Sequence, residues 1–185
     1  MVRTDAPLIT VFGSSRAVRG DKLYEEGVLL GAELARSGFR VCTGGYGGLM
    51  EAVSRGAVDA GANPIGVTFE AFGDECNPFV REHRPAPDIF ARLQQLVMNS
   101  DGYVVMRGGM GTIAELMLTW INVESGLRPA APIVLLGGGW MVFTDTLHQH
   151  FTFTDQDFSL VRYSDTPEGA VQHLREALVD LLPHD

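Results

Sequence analysis

The chain has 185 residues, of which 45% are hydrophobic and 20% are charged. This length suits one globular domain over residues 1–185, and the composition excludes disordered and membrane-spanning proteins. The formal net charge is −9 with only 14 lysines and arginines, which argues against a nucleic-acid partner because polyanion binding requires clustered cations.

Short apolar runs alternate along the chain with helix-length amphipathic segments, which is the pattern of βαβ units. The predicted strands are Leu8–Phe12, Phe39–Cys42, Pro64–Thr68, Gly102–Met106, Pro132–Leu136 and a weaker strand near Ser159–Arg162. The predicted helices span about 20–37, 48–61, 87–99, 111–124, 140–149 and 167–181. The sequence therefore predicts a Rossmann-like α/β fold, a doubly wound parallel sheet flanked by helices on both faces.

The segment Glu70–Pro87 interrupts this alternation, because it carries four prolines or glycines among aromatics and arginines. It is interpreted as a long loop that crosses the carboxyl edge of the sheet, and loops of that length tend to be functional. Within it, His83 either reaches the crevice at that edge or is a solvated loop histidine.

Two glycine-rich turns each follow a predicted strand and open a predicted helix: Gly44-Gly45-Tyr46-Gly47-Gly48 and Gly108-Gly109-Met110-Gly111-Thr112. Free backbone N–H groups and the helix dipole favour an anion at such a turn, and glycine permits its close approach. One turn alone is equally consistent with tight strand-to-helix packing. Since parallel strands end at one edge, both turns and Gly13-Ser14-Ser15-Arg16 are expected to converge on one crevice.

The sequence predicts no cofactor and no metal. The glycine spacing matches neither the dinucleotide fingerprint nor the P-loop, so neither a nicotinamide dehydrogenase nor an ATPase is indicated. His148 and His150 are two residues apart and face different sides of a helix, and Cys42 and Cys76 lack ligand spacing. A third glycine-rich turn, Gly137-Gly138-Gly139-Trp140, either lines the pocket or only turns the chain.

The motifs Gly44-Gly45, Gly48-Leu49-Met50 and Gly108-Gly109-x-Gly111-Thr112-x-x-Glu115 resemble the paired motifs of the Lonely Guy family. Members are often labelled possible lysine decarboxylases, and the family's second motif reads PGGxGTxxE. The resemblance covers about Leu8 to Leu136 and extends more loosely to the C-terminus. It implies a Rossmann-like phosphoribohydrolase that cleaves cytokinin riboside 5′-monophosphates, and often AMP, into free base and ribose 5-phosphate.

The resemblance also implies site residues, with Arg92 and Glu115 as the catalytic pair. N-glycoside cleavage passes through an oxocarbenium-like state, which a carboxylate can stabilise while an arginine orients the substrate. Glu115 is also open to interpretation as a first-turn carboxylate favoured by the helix dipole, and Arg92 as a solvated helix residue. The predicted substrate and phosphate site comprises Gly13, Ser14, Gly44, Gly45, Gly48, Met50, Arg107, Gly108, Gly109, Met110, Gly111 and Thr112.

The sequence departs from the family pattern at three places. Arg107 replaces the proline of the second motif, Leu93 replaces the lysine that usually follows the catalytic arginine, and Glu51 replaces a small residue of the plant enzymes. Arg107 either adds a phosphate contact or alters the substrate. The alternative function is a non-catalytic carrier that holds a nucleotide or molybdenum cofactor on the same fold.

Leu116, Met117, Trp120 and Ile121 form a broad apolar helix face, for which core packing is the default interpretation. The resemblance adds that this helix packs at a dimer interface, so a homodimer or larger homo-oligomer is expected. The apolar runs are too short for a membrane span and the N-terminus lacks a signal pattern, which predicts a cytoplasmic protein.

Overall fold

The structure is a computed structural model that describes residues 6–73, 75–128 and 131–182. Its strands form one sheet in which every pairing is parallel, in the order β4-β3-β2-β1-β5-β6-β7. The strands are β1 (Leu8–Phe12), β2 (Arg40–Thr43), β3 (Ile65–Phe69), β4 (Glu82–Ala86), β5 (Gly102–Val105), β6 (Ile133–Leu136) and β7 (Val161–Ser164).

Helices cover both faces of the sheet. They are α1 (Lys22–Arg36), α2 (Leu49–Asp59), α3 (Ile89–Met98), α4 (Met110–Glu124), α5 (Gly139–His150), α6 (Asp155–Phe158) and α7 (Pro167–Ala177), with 3-10 turns at Glu70–Phe72 and Val179–Leu181. Ile9 and Val11 pack with α1, α2 and α7, whereas Leu8 and Phe12 pack with α3, α4 and α5. Since side chains alternate along a strand, β1 contributes to a separate core on each face. The predicted fold class is confirmed.

The winding direction of the chain reverses between β1 and β5. From β1 the chain builds outward through β2 and β3 to β4, and from β5 it builds the other way through β6 to β7. A ligand crevice forms at such a switch point, outside the carboxyl ends of the strands. The turns after β1 and β5 therefore lie side by side, as their sequences predicted.

Backbone contact fixes α1 against α2 on one side of this crevice. A Cβ added at Gly31 would lie 2.0 Å from the carbonyl oxygen of Val53, and one added at Gly56 would lie 1.9 Å from that of Val28. Only glycine fits at both positions, because no side-chain rearrangement relieves a clash with backbone. At the start of α2, Leu49 N–H donates to the Ser14 carbonyl at 2.8 Å, which joins the first turn of α2 to the loop that leaves β1.

The six predicted strands are confirmed to within two residues at each end. The interpretation of Glu70–Pro87 as one long loop is wrong, because its second half forms β4, which pairs with β3 along its whole length. His83 belongs to β4, and its Nε2 lies 2.7 Å from Thr68 Oγ1, so it is neither a crevice residue nor a loop histidine. The last helix ends at Ala177 and continues as a 3-10 turn.

No helix formed by residues 6–73, 75–128 or 131–182 has the length and apolar character to cross a membrane. Within the same ranges, no group of three or more histidines, cysteines or acidic residues is placed to hold a metal ion.

Candidate active site

A cleft of about 900 Å³ opens at the carboxyl edge of the sheet, at the switch point between β1 and β5. Segments that are distant in sequence form its wall: the turns after β1 and β5 contribute most of it, and single residues come from α1, the turn after β2, α2, the 3-10 turn Glu70–Phe72, α3 and the body of α4. The lining residues are Gly13, Ser14, Ser15, Arg16, Ala17, Asp21, Leu23, Tyr46, Met50, Phe72, Arg92, Arg107, Gly108, Gly109, Met110, Gly111, Thr112 and Glu115.

The turn after β5 presents an anion-binding edge to this cleft. The first hydrogen bond of α4 runs from Ile113 N–H to the Gly109 carbonyl at 3.0 Å, so the amides of residues 110–112 have no acceptor within the helix. Such amides and the helix dipole favour a phosphate. Gly108 is required here, because a Cβ would lie 2.1 Å from Thr112 Oγ1. Ser14 N–H donates to the Arg107 carbonyl at 3.2 Å and joins this turn to the turn after β1.

The predicted glycines of the first turn, Gly44, Gly45 and Gly48, lie behind the cleft wall rather than in it. A Cβ at Gly44 would lie 2.0 Å from the Arg92 guanidinium, whose Nη2 donates to the Gly44 carbonyl at 3.3 Å. Gly48 has a φ of 69° and would bring a Cβ to 2.4 Å from the Ser14 carbonyl oxygen. These glycines therefore shape the site without forming its surface.

Arg92 is a buried cation held by three different elements. Only 6% of the residue is exposed. Its Nε donates to the Val67 carbonyl at 2.9 Å, its Nη1 lies 3.3 Å from Glu115 Oε1, and its Cζ lies 5.8 Å from the Tyr46 ring centroid. A guanidinium with this many fixed contacts is preorganised. The interpretation of Arg92 as a solvated helix residue is wrong.

Glu115 is a carboxylate whose charge is disfavoured by its surroundings. Its side chain is 12% exposed, and burial raises the pKa of its carboxyl to about 7, although the nearby Arg92 acts in the opposite direction. Because α4 begins at Met110, Glu115 lies beyond the first turn, and the helix-dipole interpretation is wrong. A carboxyl with this pKa exchanges a proton near neutral pH, as a general acid or base must.

The motifs did not predict the aromatic residues of the cleft, Tyr46 and Phe72. The Tyr46 hydroxyl accepts from Phe69 N–H at 2.9 Å and lies within 3.1 Å of two carbonyl oxygens, those of Phe69 and Gly73. It thereby holds the 3-10 turn that carries Phe72, and the Phe69 and Phe72 rings pack with centroids 4.3 Å apart. A tyrosine inside a glycine-rich turn is the one sequence signal that pointed to this contact.

An acidic residue fixes the rim formed by the loop after β1. Glu51 Oε1 accepts from Arg19 Nη2 at 2.6 Å and from the Tyr24 hydroxyl at 2.9 Å. Arg19 also lies over the Phe79 ring, with its Cζ 5.8 Å from the centroid. Glu51, which replaces a small residue of the plant enzymes, thus holds in place the loop that carries Arg16. Glu51 itself does not line the cleft.

A family model described as possible lysine decarboxylase matches residues 50–174. The chain belongs to this family, which is the Lonely Guy family. A cytokinin riboside 5′-monophosphate phosphoribohydrolase of Rhodococcoides fascians is 30% identical over 127 residues, covering 65% of this chain and 64% of that protein. A pyrimidine/purine nucleotide 5′-monophosphate nucleosidase of Escherichia coli K12 is 31% identical over 145 residues, covering 72% of this chain and 32% of that protein.

Among solved structures, the molybdenum cofactor binding protein of Rippkaea orientalis has the same fold. The two structures agree with a TM-score of 0.76 at 23% sequence identity, over 95% of this chain and 99% of that one. At this identity the likeness concerns the fold alone. The chain spans less than two thirds of the length of each of the two enzyme relatives above.

Proposed function

We propose that this Lonely Guy family member hydrolyses the N-glycosidic bond of purine nucleoside 5′-monophosphates, either AMP or a cytokinin nucleotide. The products are free base and ribose 5-phosphate. The observation that carries the proposal is the pair formed by the buried Arg92 and the largely buried Glu115, 3.3 Å apart in the cleft wall beside the anion-binding turn of α4. The names of the two enzyme relatives support the same reaction and substrate class.

In the proposed reaction the 5′-phosphate binds the amides of Gly109, Gly111 and Thr112, with Arg107 at the mouth of the turn. This anchors the ribose with its anomeric carbon near Glu115. As the C1′–N bond breaks, the bonding electrons leave with the base and positive charge develops on the ribose ring. An ionised Glu115 stabilises that charge and then accepts a proton from the water that adds to C1′. That proton passes on to the departed base, which leaves as the neutral free base and returns Glu115 to its ionised form.

Arg92 has two tasks in this reaction. Its positive charge favours the ionised form of Glu115 against the effect of burial. Its contacts with Val67 and Gly44 fix the direction from which it reaches Glu115, so the carboxylate is oriented before substrate enters. The proposed role of Arg92 is therefore to position and charge the carboxylate, in addition to any contact with the substrate.

The test is incubation of the purified protein with AMP and separately with N6-isopentenyl AMP, followed by chromatography. We expect equal amounts of free base and ribose 5-phosphate to appear with time from at least one of the two nucleotides. Binding of both nucleotides without release of base would contradict the hydrolase and favour the non-catalytic carrier.

We also propose that the protein is a cytoplasmic homodimer that assembles through one face of α4. Leu116 and Trp120 are buried in the chain's own core, whereas Ile121 is 60% exposed and lines an apolar groove of about 470 Å³ with Met117 and Phe153. We expect the particle mass in solution to be twice that of the chain, and Ile121→Lys to halve it by placing a charge in the apolar contact. A wild-type particle of single-chain mass would contradict this assembly.

A further inference from the structure

A second cleft of about 710 Å³ adjoins the first along the carboxyl edge of the sheet, on the side of β6 and β7. The two clefts share three lining residues, Leu23, Arg107 and Gly108. The shared wall includes the start of the turn that holds the phosphate in the proposed function. A ligand anchored at that turn could therefore extend into the second cleft.

The second cleft contains two cations. Lys22 is the only lysine in the sequence, and it lines this cleft but not the first. Arg107, where the family has proline, lines both. In the described part of the chain, neither side chain forms an ion pair. Two cations on the path leading away from a phosphate are suited to a second anionic group.

The wall of this cleft also contains a tryptophan whose buried ring nitrogen has no partner, beside a glycine-rich turn that is open to a ligand. Trp140 lines the cleft and is 6% exposed, and its Nε1–H has no acceptor among the described residues. It lies at the start of α5, after the Gly137–Gly139 turn. Cβ atoms added at Gly137 and Gly139 would meet nothing within 4 Å, so the backbone there is open to a ligand. Of the two interpretations of this turn, the structure supports pocket lining.

Two carboxylates also face the second cleft, Glu26 from α1 and Asp165 after β7. Burial raises the pKa of the Glu26 carboxyl, and Lys22 partly offsets that effect. Asp165 is exposed, and its Oδ1 lies 3.7 Å from where a Cβ on Gly138 would be. A negative group in this cleft is therefore attracted by Lys22 and Arg107, and it is repelled by Asp165 and by Glu26 in its ionised form.

We infer that the second cleft binds a second phosphate joined to the 5′-phosphate, so that the protein binds nucleoside 5′-diphosphates more tightly than monophosphates. The inference rests on the proposed function only in placing the first phosphate at the Gly109–Thr112 turn. Arg107 lies between the two phosphates, and Lys22 contacts the second. The ligand class of the site is thereby extended beyond that of the mononucleotide.

Calorimetric titration with AMP and with ADP, in buffer free of divalent cations, tests the inference. We expect ADP to bind about tenfold more tightly than AMP, which is the value of one charge-assisted contact. Lys22→Met is expected to weaken ADP binding about five- to tenfold, and Asp165→Asn to tighten it about twofold, while AMP binding changes in neither variant. Arg175→Met removes an exposed cation that lines neither cleft and serves as the control for net charge.

The single lysine permits a second, direct measurement. A limiting amount of amine-reactive reagent modifies Lys22 and the α-amino group, and peptide mass spectrometry separates the two. ADP is expected to protect Lys22 at least fivefold relative to the α-amino group, whereas AMP gives no protection. Equal affinities for AMP and ADP, or equal loss of both in Lys22→Met, would overturn the inference.

Neither measurement requires turnover. A protein that prefers ADP through Lys22 but releases no base from AMP would retain this inference and lose the proposed reaction. A protein that releases base from AMP without any preference for ADP would retain the proposed reaction and lose this inference.

Discussion

Glu115→Gln is expected to lower the rate of base release from AMP by about 10²- to 10³-fold while AMP binds within about threefold of the native affinity. Glutamine keeps the size and hydrogen-bonding reach of the side chain but cannot carry the negative charge that stabilises an oxocarbenium-like state. The phosphate contacts arise from the α4 turn and not from Glu115, so ground-state binding is retained. Single-turnover rates and equilibrium titration of the variant measure the two quantities separately.

Glu168→Gln is the matched control for this substitution. Glu168 also lies on a helix near its N-terminus, but it is exposed and lines neither cleft. The Glu168→Gln variant is expected to release base from AMP at a rate within about twofold of the native rate, because isolated surface charges contribute little. Native-like base release by Glu115→Gln would remove Glu115 from the reaction, and loss of AMP binding in that variant would assign it to binding instead.

Hydrophobic patterning predicted the sheet well where strands are buried on both faces. The strand β4 lacked such a pattern, because Glu82, His83 and Arg84 are polar and Pro85 cannot donate to a sheet ladder. As the edge strand of the sheet, β4 tolerates all four residues, since one side of it needs no partner. Whether a strand lies at the edge of a sheet depends on the topology of the whole fold, so it cannot be predicted from the residues of that strand alone.

The candidate site was likewise predicted from the sequence only in part. The motifs indicated Arg92 and Glu115, and the common edge of parallel strands explained why distant turns meet. The surroundings of Arg92 and Glu115 could be learned only from the fold. Arg92 is buried against the carbonyl groups of Val67 and Gly44, which lie 25 and 48 residues away in the sequence. The same holds for Phe72, which reaches the cleft because Tyr46 anchors its turn.

The raised pKa of Glu115 is a second property that depends on this environment, and it predicts how activity varies with pH. If the ionised carboxyl is the active form, kcat/KM for AMP should rise with pH and reach half its maximum near pH 7. The second ionisation of the substrate phosphate lies near 6, about one pH unit lower. A half-maximal point near 7 therefore assigns the titration to the enzyme rather than to AMP.

Arg92→Met tests the origin of that pKa, because it removes the cation and keeps much of the apolar stem. Burial still raises the pKa of Glu115, and the opposing effect of Arg92 is gone, so the pKa is expected to move above 7. At pH 7 most of Glu115 is then protonated, and the rate is expected to fall about 100-fold, with partial recovery as the pH is raised towards 9. The pH profile of kcat/KM measures this shift.

Arg92→Lys separates charge from geometry. Lysine restores a positive charge near Glu115 but lacks the planar fork that reaches Val67 and Gly44 together. Its half-maximal pH is expected to return towards 7, while its maximal rate stays below that of the native protein because the carboxylate is less well oriented. A profile for Arg92→Met that keeps its half-maximal point at 7 would show that Arg92 does not control the ionisation of Glu115, and its role would then be confined to orienting the substrate.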